Sequence, residues 1–153
     1  MTDIYQRLKE LGIELMEHSP KGGIYTSCML FGQNLVYVSG TSANGQNVVG
    51  RLGKELTVEE GMEQARLAMI SILSNLHHDL KDLNRIKRFV KILAFVASDD
   101  QFYQQPKVIN GASALLQDVF GEEAGLPARS AIGVNVLPGN IPVEIEALLE
   151  MKD

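Results

Sequence analysis

The stretch from Thr57 to Leu76 constrains the fold more than any other part of the chain. Thr57 and Glu60 have the spacing of a capping box, in which the threonine hydroxyl accepts an early helical N–H and the glutamate reaches back to the cap. Val58, Met62, Ala65, Met69, Ile72, Leu73 and Leu76 then recur at 3.6-residue spacing. This pattern predicts a long helix with one apolar face, which needs a sheet to lie on. Residues 86–97, IKRFVKILAFVA, supply a candidate: they are β-branched and aromatic, and turn apolar on both faces toward the end, as a central strand does.

Around this pair the pattern extends in both directions. Residues 2–11 read as a short amphipathic helix stopped by Gly12 and added to the N-terminal side of the core, so that 1–12 forms an extension of one domain spanning 1–153. Runs at 24–31 and 35–39 predict a hairpin about Gly32-Gln33-Asn34. Residues 41–54 lack periodicity and read as a loop. A second helix is expected from Pro106, where a missing N–H costs nothing, to Gly121, with Val108, Ala112, Leu115, Leu116 and Val119 inward. Two last strands, 130–137 and 143–149, flank Pro138-Gly139-Asn140, and Val143, Ile145 and Ala147 alternate with Glu144 and Glu146.

Composition narrows the function. With 45% hydrophobic and 22% charged residues, the 153-residue chain is an ordinary globular protein. A net charge of −5 with scattered basic residues makes nucleic acid an unlikely partner, since phosphate neutralisation supplies much of that affinity. The longest apolar run, residues 92–97, is far below a membrane span. A single cysteine, Cys28, and an N-terminus already charged at Asp3, Arg7 and Lys9 point to the cytosol.

Several chemistries lack their residues. Gly50 to Lys54 looks superficially like a phosphate loop, but Glu55 stands where a magnesium-ligating hydroxyl would be. His77 and His78 are adjacent, so on a helix they point about 100° apart and suit a solvated helix end better than one metal. Cys28 reads as a buried structural thiol, and Met62 and Met69 as core. No metal or organic cofactor is expected.

The segment Leu126 to Glu150 is the informative one. Arg129 directly follows Leu126-Pro127-Ala128 at the mouth of a strand, and its planar fork suits a carboxylate. On residue types alone it could equally form a salt bridge to a nearby glutamate. Tyr25 likewise fits a core edge, Ser39 a turn, Glu144 a solvated strand face and Asn110 a helix cap.

Taken together, Pro127-Ala128-Arg129-Ser130, the following strand, Leu137-Pro138 and Val143-Glu144-Ile145-Glu146 resemble the C-terminal signature of the RidA/YjgF family, also called endoribonuclease L-PSP. Gly23-Ile24-Tyr25 and Val38-Ser39-Gly40 are similar to its early segments, and Val108 to Ser113 looks like its chorismate-mutase-like branch. The resemblance implies an α+β fold, a β-α-β-α-β-β mixed sheet with two helices on one face, assembled as a homotrimer with ligand sites between subunits. It implies a metal-independent 2-iminobutanoate/2-iminopropanoate deaminase in which Arg129 anchors the substrate carboxylate and Glu144 positions or deprotonates water. Tyr25, Ser39 and Asn110 would line the substrate site. A non-catalytic carboxylate-binding protein and an L-PSP-type ribonuclease are the alternatives. Were the last two strands a hairpin, Arg129 would lie about 20 Å from Glu144 at ~3.3 Å per residue. The family's sheet order separates those strands instead, and in either arrangement joint action calls for a site shared between subunits. Ala131 and Gly133 depart from the better-studied deaminases, where cysteine and a larger residue stand, and suggest a wider or differently polar pocket.

Overall fold

The computed structural model describes residues 2–18, 20–45 and 47–153. Its elements are α1 (Ile4–Glu10), β1 (Cys28–Phe31), β2 (Leu35–Thr41), α2 (Val58–Leu80), β3 (Ile86–Ala97), α3 (Gln105–Gly125), β4 (Ala128–Val134) and β5 (Val143–Met151). After α1 the order is that of the expected α+β pattern, with a hairpin as its opening strand unit.

The capping box is present. Thr57 Oγ1 accepts from the Glu60 amide at 3.2 Å, and Glu60 Oε2 accepts from the Thr57 amide at 2.7 Å. Met69, Ile72, Leu73 and Leu76 are fully buried, at about 1.5–3 kcal/mol for each such side chain, so packing more than propensity places α2. The same helix buries a polar stripe that staples two flanking segments. Ser74 Oγ accepts from the Met16 amide, and Ser71 Oγ from the Asn44 amide, each at 3.0 Å.

The sheet order is β1-β2-β5-β3-β4, antiparallel except for the parallel pair β3 and β4. β3 therefore lies between β4 and β5, and the hairpin arrangement of the last two strands does not occur. Helix α2 covers β2 and β5, α3 covers β3 and β4, and the helices pack on each other. Val36, Val38, Ile92, Ala94, Val96, Ile145 and Leu149 form the covered face of the sheet. Tyr37, Leu93, Phe95, Glu144, Glu146 and Leu148 alternate with them and project from the uncovered face.

Several boundaries differ from expectation. β1 begins at Cys28 rather than at residue 24, because its ladder with β2 ends at the Ser39 amide bonding the Ser27 carbonyl; Ile24 lies wholly in solvent. β4 runs 128–134 rather than 130–137, since its partner β3 ends at Ala97. Helix α3 does not stop at Gly121 but kinks there, at φ +80°, and continues to Gly125. Helix α1 buries Ile4 and Leu8 in the common core. Cys28 is buried and free, and burial, followed by its hydrogen bond to Asp79, pushes its thiol up to about 12.

Candidate functional site

Arg129 sits on β4 opposite Ile92 of β3, a fully buried core residue. Its side chain turns to the helix side, where α3 presents Asn110 and Ser113 three residues apart on one face. Arg129 Nη1 donates to Asn110 Oδ1 at 2.8 Å and to Ser113 Oγ at 3.0 Å. Those two bonds occupy both hydrogens of Nη1. Among the described residues no hydrogen bond engages the Nε and Nη2 edge, whose parallel N–H pair can take a ligand. No carboxylate among the described residues forms an ion pair with it.

Gly111 explains why Asn110 and Ser113 stand where they do. A Cβ there would lie 2.0 Å from the Met62 carbonyl oxygen, so only glycine lets α3 approach α2 this closely. Ser113 was not singled out from the sequence, although its i+3 spacing from Asn110 was visible. At Gly133 the pocket is differently polar rather than wider. The place of its missing side chain is taken by the Gln105 amide and the Ser98 hydroxyl, 2.7 and 2.9 Å from where a Cβ would stand.

Tyr25, Ser39 and Glu144 meet elsewhere, in a cleft of about 510 Å³ that Lys21 and Gly40 also line. Ser39 and Gly40 fall where the β2–β5 register shifts between Val38 and Thr41, a bulge that redirects the strand. Ser39 Oγ donates to the Thr26 carbonyl at 2.6 Å, and Tyr25 Oη accepts from the Gly22 amide at 3.3 Å. The Glu144 carboxylate lies over Gly40, 2.9 Å from where a Cβ would be. Burial first, and the neighbouring Glu146 second, raise its pKa above the usual 4.5. A carboxylate of that kind is a stronger base than a solvated one.

Arg129 and Glu144 are not brought together within one chain. Arg129 pairs with Ile92 and Glu144 with Phe95, on either side of β3. Two strand spacings and three residues of rise separate their Cα atoms by about 14 Å, and their side chains leave opposite faces of the sheet. The loop at 50–54 is closed on itself: the Arg51 carbonyl accepts from the Lys54, Glu55 and Leu56 amides, which leaves no phosphate cradle there. His77 is hydrogen-bonded to Tyr5 at 2.9 Å, so it is not simply solvated.

A mixed five-stranded sheet backed on one face by two helices defines the chorismate-mutase-like class of α+β proteins. The chain belongs to the family described as "YjgF/chorismate_mutase-like, putative endoribonuclease", which matches residues 5–149. It is 41% identical over 149 residues to protein TCP17 of Trypanosoma cruzi, covering 95% of this chain and 92% of that one. Among solved structures, protein Atu1372 of Agrobacterium tumefaciens, whose function is unknown, is 38% identical with a TM-score of 0.86, over 98% of this chain and 92% of that one. A protein of Shewanella oneidensis described as "a putative endoribonuclease" is 29% identical with a TM-score of 0.93, over 98% of this chain and 100% of that one. No helix among the described residues is long and apolar enough to cross a membrane.

Proposed function

We propose that this protein is an imine/enamine deaminase that hydrolyses small 2-imino acids, of the 2-iminopropanoate and 2-iminobutanoate kind, to 2-oxo acids and ammonia. The observation that carries the reading is Arg129, held by two neutral acceptors and, among the described residues, unbonded along its Nε–Nη2 edge. Two parallel hydrogen bonds from that edge would fix the substrate carboxylate and, one bond away, the imine carbon.

Water then adds to the protonated imine carbon, and Glu144 takes the proton that the water loses. Glu144 returns that proton to the amino nitrogen of the carbinolamine; the C–N bond then breaks as the hydroxyl oxygen forms the carbonyl and gives its proton back to Glu144, and ammonia leaves with the 2-oxo acid as product. A three-carbon substrate cannot bridge about 14 Å, so Arg129 of one copy works with Glu144 of another, in a homotrimer with a site at each subunit junction. Tyr25 and Ser39 line the Glu144 side of the site, and Asn110 holds the arginine on the other.

The test generates 2-imino acids with an amino-acid oxidase or dehydratase and follows their decay with wild-type protein and Arg129→Ala. Accelerated decay that the variant loses is expected. Arg129-dependent binding of 2-oxo acids without acceleration would instead assign a carboxylate-binding protein. Cleavage of a labelled RNA by the same preparation would favour the ribonuclease activity in the family's description.

A further inference from the structure

Outside this site, three metal-ligating side chains converge at the C-terminal end of α2. His78 and Asp79 lie in its last turn and, though adjacent on the helix, turn their side chains toward each other; His18 reaches them from the segment before β1. His78 Nδ1 is 2.8 Å from Asp79 Oδ1, and His18 Nε2 is 3.8 Å from the same oxygen. The two imidazole centroids are 4.3 Å apart, and one ligand atom from each of the three residues lies within 4.8 Å of the other two. We propose that His18, His78 and Asp79 form a binding site for one divalent transition metal of the zinc class.

The geometry is close to what such an ion needs. Tetrahedral coordination with bonds of about 2.0–2.1 Å places donor atoms roughly 3.3 Å apart, between the observed 2.8 and 3.8 Å. Two imidazoles with one carboxylate suit zinc, cobalt or nickel, whereas magnesium and calcium favour all-oxygen sets. A second shell is also in place. The Ser27 hydroxyl, 3.0 Å from His18 Nε2, occupies the ligating nitrogen itself and must give way to the ion, whereas the Cys28 thiol supports Asp79 through a hydrogen bond. Such partners orient ligands and are the usual company of a metal site. Water beside Ser27 would complete the coordination.

A salt bridge of His78 with Asp79 and a hydrogen bond of His18 with Ser27 make the plainer account, but it does not explain why His18 Nε2 also lies 3.8 Å from the same Asp79 oxygen. A metal would use one nitrogen of each imidazole and one oxygen of the carboxylate. Bound there, it would tie the segment 18–27 to α2, and that segment carries Lys21, Tyr25 and Ser27 into the wall of the cleft.

The experiment uses tag-free, chelator-treated full-length protein, titrated calorimetrically with zinc chloride and, in parallel, with cobalt(II) followed by visible absorption. One ion per chain is expected, at micromolar or tighter affinity, with a rise in Tm on the order of 5–10 °C at saturating zinc. His18→Ala with His78→Ala should weaken binding at least 30-fold, as should Asp79→Asn alone, with far-UV circular dichroism unchanged. His77→Ala, which removes the remaining histidine, should leave affinity within threefold. Unaltered stoichiometry and affinity in the double variant, or millimolar binding by the wild type, would overturn the proposal.

Discussion

Splitting the candidate site between copies has a numerical consequence. Arg129→Ala removes two hydrogen bonds to a charged group, at about 1.5–3 kcal/mol each, and so lowers kcat/KM by roughly 10²–10⁴-fold or more. Glu144→Gln removes a general base, worth about 10²–10⁴-fold. Each variant alone is therefore close to inactive. When the two are co-expressed or refolded together in equal amounts, a junction is intact where an Arg129-bearing chain meets a Glu144-bearing chain in the right order. In a cyclic assembly with random assortment that is about one junction in four. The mixture should recover about a quarter of the wild-type rate of imine decay, with native mass spectrometry confirming mixed oligomers. A same-chain site predicts no recovery, because every chain lacks one of the two groups. Mixed oligomers without activity would therefore refute the division of the site.

Three further outcomes follow from particular contacts. Gly40→Ala places a methyl group 2.9 Å from the Glu144 carboxylate; the carboxylate can swing aside, so stability should change by less than about 1 kcal/mol, while turnover falls at least tenfold, on the order expected of a misplaced catalytic group. Gly111→Ala meets backbone instead, 2.0 Å from the Met62 carbonyl oxygen, and should lower Tm on the order of 5–10 °C by calorimetry, from about 1–3 kcal/mol of overpacking. The raised pKa of Glu144 means that the folded state favours its protonated form, so its contribution to stability is complete below pH 4.5 and is lost as pH rises through the folded value. Glu144→Gln should accordingly raise Tm at pH 7 and lose that advantage below pH 4.5. In the wild type, activity should fall on acidification through a pH above 4.5, and Glu146→Gln should move that limb downward.

What the sequence disclosed depended on how local each signal was. Helix α2 and strand β3 were legible to the residue or nearly so, because a capping box, a 3.6-residue stripe and a β-branched run are written within single segments. The start of β1 was not, since Tyr25 and Ile24 have strand-like side chains and only the loss of a pairing partner beyond Ser27 ends the ladder. Arg129 and Asn110 were each visible, yet the bond between them depends on the close crossing at Gly111. Gly133 left open a wider or a differently polar pocket, and only the fold decides between them: the amide of Gln105, distant in sequence, fills the space. His18 and His78 stand sixty residues apart with no spacing to connect them; only the path of the segment before β1 over the end of α2 brings them together.

The outer face of the sheet decides whether association and activity are one event. Tyr37 is 44% exposed and Ile132 45%, and Leu93, Phe95 and Leu148 are partly buried beside them, with no helix above. Strand β4 is an edge with unpaired backbone groups, next to the arginine that the reaction needs. Apolar faces and open edges of this kind favour association. On the reading given above, the contact that covers them also carries Arg129 of one copy to Glu144 of the next. Ile132→Glu places a charge on that face, on the strand beyond Phe95 from Glu144 and on the face opposite to the Arg129 side chain. By sedimentation the wild type should run at three times the 16.8 kDa chain mass and the variant at the monomer mass, folded but without imine hydrolysis. A folded monomer that retained the wild-type rate would show that one chain suffices, and the shared site would have to be abandoned.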